Sequence, residues 1–117
     1  MTNEQVYQML FAKIWPLLEQ KALRKRRTHD EVVAVVEWLT GYKENDIHRM
    51  LEDGTSYGDF FRNAPMMNPN RFFIKGSICG VKLESIEDPL MRDIRYLDKL
   101  IDELAKGKKL EKILRHE

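Results

Sequence analysis

NPNRFFIKGSICGVKLESIEDPLMRDIRYLDKLIDELAK, residues 68–106, holds the strongest helix signal in the chain, and the reading of every other segment depends on it. Asp88 precedes Pro89, an N-cap acceptor followed by proline at the first helical position, where its fixed φ suits a helix and its missing N–H is not needed. Leu90, Ile94, Leu97, Ile101 and Leu104 then recur at steps of four and three, with Met91 and Leu100 beside them. One broad face of a rod is therefore apolar and must be covered. The other face offers Asp88 with Arg92, Lys99 with Glu103 and Asp102 with Lys106 at spacing four, each pair worth about 0.2–0.5 kcal/mol. Gly107 supplies the stop. Burying such leucines and isoleucines contributes roughly 1.5–3 kcal/mol each before entropy is subtracted, more than any other segment offers.

The first half of the stretch admits two readings. Asn68-Pro69 repeats the cap-then-proline form, which predicts a helix from Pro69 to Cys79 stopped by Gly80. The alternative is a β-hairpin turning at Lys75-Gly76-Ser77, with Val81 and Leu83 on one face of its second strand.

Towards the N-terminus, Thr2 or Asn3 can cap a helix carrying Val6, Met9, Leu10 and Ile14, and Pro16 predicts a break at Trp15. A second segment turns Leu17, Leu18 and Ala22 inward and ends in Arg24, Lys25, Arg26 and Arg27, a cluster suited to the negative end of a helix dipole. Thr28 with Glu31 forms a capping box ahead of Val32, Val33, Ala34, Val35, Val36, Trp38 and Leu39, closed by Gly41. The β-branched run alone suggests a strand. Cap, length and terminal glycine together predict a buried helix. Ile47, Met50 and Leu51 mark a short helix ended by Gly54, and Thr55 or Ser56 caps another that holds Phe60 and Phe61 before Pro65, both as satellites of the core. After Gly107, Leu110, Ile113 and Leu114 point inward in a last turn that frays at Arg115-His116-Glu117. The fold class is all-α, a compact bundle of about five to seven helices around a long C-terminal helix, with one short β-hairpin near 72–83 as an option.

At 117 residues the chain is expected to be one domain, 1–117, without a linker. Twenty basic against nineteen acidic side chains give a formal charge of +1, so no global field draws it to nucleic acid or an anionic membrane. No run approaches the roughly eighteen apolar residues of a membrane span, which points to a soluble, cytoplasmic protein. The single cysteine, Cys79, excludes an internal disulfide.

WLTGY (38–42), APMMNPNR (64–71), ICGVKLESIEDPLMRDIRYLDKLIDELAKGK (78–108) and EKILR (111–115) together resemble a small bacterial family catalogued as domain-of-unknown-function family 2200. The resemblance runs over nearly the whole chain. It implies a compact bacterial protein and carries over no catalytic residue, cofactor or partner.

Chemistry-bearing patterns are sparse. Cys79, at an expected helix C-terminus where the dipole raises a thiol's pKa, reads as a small apolar core residue. His29, His48 and His116 form no metal-spaced pair, so no metal site is expected. No catalytic residue and no cofactor are indicated, since phosphate-binding glycine loops and a GxSxG elbow are both missing. Whether the chain is an enzyme is left open. The densest polar set is Asn68, Arg71, Glu84, Glu87, Arg92 and Arg95, a candidate small-ligand site if the side chains converge and a set of helix caps if they do not. Two basic clusters, Lys21 to Arg27 and Lys106 to Arg115, could meet and track a phosphate backbone, but the aromatics follow inward spacing and nucleic-acid binding is disfavoured. The leading expectation is an interaction module that forms a homo-oligomer or docks on a protein partner through part of the Leu90 to Leu104 stripe or through Phe60, Phe61, Met66 and Met67.

Overall fold

The computed structural model describes residues 2–116. Its elements are α1 (Asn3–Gln8), α2 (Phe11–Leu23), α3 (His29–Thr40), α4 (Glu44–Glu52), α5 (Tyr57–Arg62), a 3-10 turn Pro69–Phe73, a hairpin of β1 (Ser77–Ile78) and β2 (Val81–Lys82), a second 3-10 turn Leu83–Ser85, α6 (Pro89–Ala105) and α7 (Leu110–Ile113). The chain is mostly helical, with a single short hairpin among the described residues.

Helix α6 is the centre of the fold. Asp88 caps it through Leu90 N at 3.0 Å, with Pro89 at its first position. Met91, Ile94, Leu97, Leu100, Ile101 and Leu104 are buried, four of them completely, and α2, α3, α5, α7 and the hairpin pack around the rod. One of its three expected surface pairs forms, Asp102 with Lys106 at 3.0 Å. Tertiary partners take the others: Asp88 Oδ2 accepts from the Tyr7 hydroxyl at 2.6 Å, Arg92 donates to the Ile86 carbonyl, Lys99 Nζ to the Ser77 carbonyl, and Glu103 is buried against Arg115. A buried or backbone partner outweighs the few tenths of a kcal/mol of an exposed pair.

The valine-rich segment is a helix, as its caps predict. Thr28 and Glu31 form the box, and Gly41 at φ 82° ends the helix while Met66 N lies 3.1 Å from where a Cβ would stand. The first helix breaks earlier than Pro16 implies. Met9 and Leu10 are extended because Met9 O accepts from Tyr57 N at 2.7 Å and Phe11 N donates to Thr55 O at 2.9 Å. Pro16 instead lies inside α2 on its exposed side, where a missing hydrogen bond costs least.

Between residues 69 and 83 the hairpin option holds, but its turn is displaced, and the helix from Pro69 to Cys79 does not form. Helical turns end at Phe73, and the hairpin turns at Cys79-Gly80, with φ of 53° and 80°. Such paired left-handed residues make the two-residue turn whose twist matches the strands. Cys79 is therefore exposed at the tip and is no core residue.

Nor is α5 a satellite. Phe60 is fully buried, stacked on Phe11 at 4.3 Å between ring centroids, with Tyr42 at 4.9 Å and Phe61 edge-on at 5.0 Å. Gly58 lets α5 approach α1: a Cβ there would sit 2.8 Å from Tyr7 Cβ and 3.2 Å from Tyr7 O. Overpacking by Gly58→Ala costs about 1–3 kcal/mol, offset in part by the ~1 kcal/mol alanine gains as a helix former, so a net loss of up to about 2 kcal/mol is expected. Urea denaturation checks this, and an unchanged or raised midpoint would mean that α1 moves aside freely.

The C-terminus is held as far as Arg115, which grips Glu103 at 2.5 and 2.8 Å. Of the expected frayed end, Glu117 lies outside the described residues.

Candidate functional site

The six candidate residues do not converge: three act as anchors, two line a cleft, and Glu84 does neither. Asn68 caps the 3-10 turn through Asn70 N at 2.9 Å, and its own carbonyl accepts from Arg71 at 2.9 Å. Arg71 also pairs with Asp93 at 3.0 Å and covers the Phe72 ring at 4.5 Å, while Arg92 secures the Ile86 carbonyl. These three hold backbone and neighbours in place. Burial raises the pKa of Asp93 despite Arg71 beside it. Glu84 is exposed. Glu87 and Arg95 share the wall of an open cleft of about 570 Å³ between Asn3 of α1, Val81 of the hairpin and Asp88 and Met91 of α6.

Arg95 is partnered by Asp98 at 3.0 Å, and burial raises the Asp98 pKa. The Tyr57 hydroxyl is buried with no hydrogen-bond partner among the described residues, and burial, followed by the Asp98 charge, raises its pKa well above the ordinary phenol value.

Elsewhere the fold gathers residues of α2, α3 and α4 whose spacing gave little reason to join them. His29 opens α3, Glu44 opens α4, and His48 stands one helical turn further on. His29 Nδ1 lies 2.6 Å from Glu19 Oε2 of α2, His29 Nε2 lies 3.0 Å from Glu44 Oε2, and His48 Nε2 lies 3.4 Å from the same oxygen. One ligand atom from each of His29, Glu44 and His48 falls within 4.8 Å of the other two. Trp15 presents an edge-on wall to the His29 ring at 6.4 Å. Glu44, then Glu19, raise the pKa of His29, and His29 in turn lowers that of Glu44. His116 is exposed at the C-terminus. The one sequence signal for this group is the i,i+4 spacing of Glu44 and His48; the long-range partners His29 and Glu19 leave none.

The two basic clusters do meet. Arg27 donates to the Leu104 carbonyl at 3.1 Å and to that of Lys108 at 2.7 Å, and Lys21 reaches Asp102 at 3.2 Å. Glu31, Asp102 and Glu103 answer much of this charge, and the Arg27 guanidinium lowers the pKa of Glu31.

The apolar surfaces expected to bind a partner are largely used internally. Ile94 to Leu104 of the stripe, Phe60 and Phe61 lie in the core, and Leu90 and Met67 pack against it. Met66 remains, 72% exposed, and Phe72 and Phe73 at 50% each and Val81 of the hairpin at 46% are exposed as well.

Residues 5–115 match a family described as "Uncharacterized protein conserved in bacteria (DUF2200)". The chain is also similar to a solved structure, "Crystal structure of uncharacterized protein SP1917", at 44% identity and a TM-score of 0.92, over 99% of this chain and 98% of that one. No curated protein matches it.

Proposed function

The chain belongs to the DUF2200 family of uncharacterized proteins conserved in bacteria, whose description names no activity, and we propose that it is an interaction module that self-associates through the apolar shoulder carried by Phe72 and Phe73. One observation carries the reading: the Pro69–Phe73 turn buries none of its residues, yet ends in two half-exposed phenylalanines. Isolated apolar side chains on a surface are ordinary, but adjacent aromatic rings are a large apolar area to leave in water and are enriched where protein surfaces meet. Arg71 over the Phe72 ring supplies a polar rim.

Sedimentation equilibrium tests this directly. The wild-type protein is expected to exceed monomer mass at tens of micromolar, as a weak self-associating protein does, and Phe72→Ser with Phe73→Ser is expected to return it to a monomer. A wild-type protein that stays monomeric at every concentration refutes the proposal. A cytoplasmic setting suits this reading, because reducing compartments leave a lone exposed thiol such as that of Cys79 unpaired. No helix among the described residues is long and apolar enough to cross a membrane.

A second reading is favoured by the cleft beside Glu87 and Arg95, which offers both charge types to a small ligand. Under it, Arg95→Ala abolishes the thermal shift given by a bound small molecule while the protein remains folded.

A further inference from the structure

We propose that His29, Glu44 and His48 form a binding site for a divalent late transition-metal ion, zinc being the best match, with Glu19 orienting His29 from behind. This site is independent of the apolar shoulder.

Donor chemistry points to the ion. Two imidazole nitrogens and one carboxylate oxygen suit zinc and its neighbours, whereas calcium and magnesium take oxygen ligands. The spacing agrees. A tetrahedral ion with bonds of about 2.0–2.1 Å places adjacent donor atoms about 3.3 Å apart, and Glu44 Oε2 stands 3.0 Å from His29 Nε2 and 3.4 Å from His48 Nε2. The remaining nitrogen-to-nitrogen separation is within 4.8 Å. A turn of His48, whose side chain is 61% exposed, closes it.

Preorganisation distinguishes this group from histidines scattered over a surface. Glu19 accepts the Nδ1–H of His29 and Glu44 faces its Nε2, so once Nε2 gives up its proton the freed lone pair is already aimed at the point Glu44 shares. Trp15 limits rotation of the same ring. Glu44 and His48 are one helical turn apart, so α4 presents both to the same point. Three protein ligands leave a fourth position for water or for a donor from another molecule. When the metal arrives, the Nε2 proton of any protonated His29 goes to solvent and the two carboxylates are neutralised by the ion.

The test uses the tag-free full chain, titrated with Co²⁺ by visible absorption and with Zn²⁺ by competition against a chromophoric chelator. One ion per chain is expected. His48→Gln and Glu44→Gln are each expected to weaken Zn²⁺ by at least tenfold, and Glu19→Gln by about tenfold as an outer-shell partner. His116→Gln should leave affinity unchanged. His48→Gln replaces an exposed side chain, so its effect is separable from folding, which circular dichroism verifies. Failure to bind Zn²⁺, or equal affinity in wild type, His48→Gln and Glu44→Gln, overturns the proposal. So does a loss in His116→Gln as large as that in His48→Gln.

Discussion

Phe60→Ala is expected to remove about 3–5 kcal/mol of unfolding free energy, the range for deleting a large aromatic side chain from a packed core. Phe60 has no exposed surface and touches four other rings: it stacks on Phe11, tilts against Tyr42, meets Phe61 edge-on and lies 6.3 Å from Tyr57. Its carbonyl also accepts the Tyr42 hydroxyl at 2.7 Å, so a shift of α5 disturbs a buried hydrogen bond as well. Small domains hold about 5–15 kcal/mol in all, so this one change takes a large share. Urea unfolding followed by circular dichroism measures it. A loss below about 1 kcal/mol would mean that α5 is loosely docked and that the aromatic cluster is not the second focus of the core.

Arg115→Ala is expected to cost about 3–5 kcal/mol, because it strands a buried carboxylate. Glu103 is 8% exposed and receives both Nη atoms of Arg115, with Lys108 Nζ further off at 3.6 Å. Arg115 also satisfies the Ile113 carbonyl, so its loss frees the end of α7. The double variant Glu103→Leu, Arg115→Met separates the two effects. It should recover most of the loss, since a well-packed apolar pair avoids the desolvation of two charges. If both variants are equally unstable, the ion pair is not the cause and the docking of α7 is.

The sequence announced local features well. Asp88-Pro89, Thr28 with Glu31, and Gly41 each act within one turn of chain, and the helices they bound stand as expected. It failed where a partner distant in sequence decided the outcome. Met9 and Leu10 have helical spacing, yet they extend because residues 55–57 take their backbone groups. Glu103 looked like half of a surface pair until Arg115 arrived from beyond the α6 terminus. The hairpin was missed at its turn because Cys79 accepts a left-handed conformation that cysteine seldom adopts. Of the candidate site, capping by Asn68 follows from its Asn-Pro step, whereas the sharing of one cleft wall by Glu87 and Arg95 depends on how the hairpin folds back. Likewise, nothing local joins His29 of one helix to Glu19 and Glu44 of two others.

The long helix is clamped at both ends by residues made early in synthesis: Tyr7 on Asp88, and Arg27 on the carbonyls of Leu104 and Lys108. A growing polypeptide therefore carries each clamp without its counterpart for 77 to 81 residues of elongation, about 4–16 s at ordinary ribosomal speed. Throughout that interval Phe11, Trp15 and the valines of α3 have no rod to rest on. Packing of that early core therefore waits until residues 88–108 have left the exit tunnel.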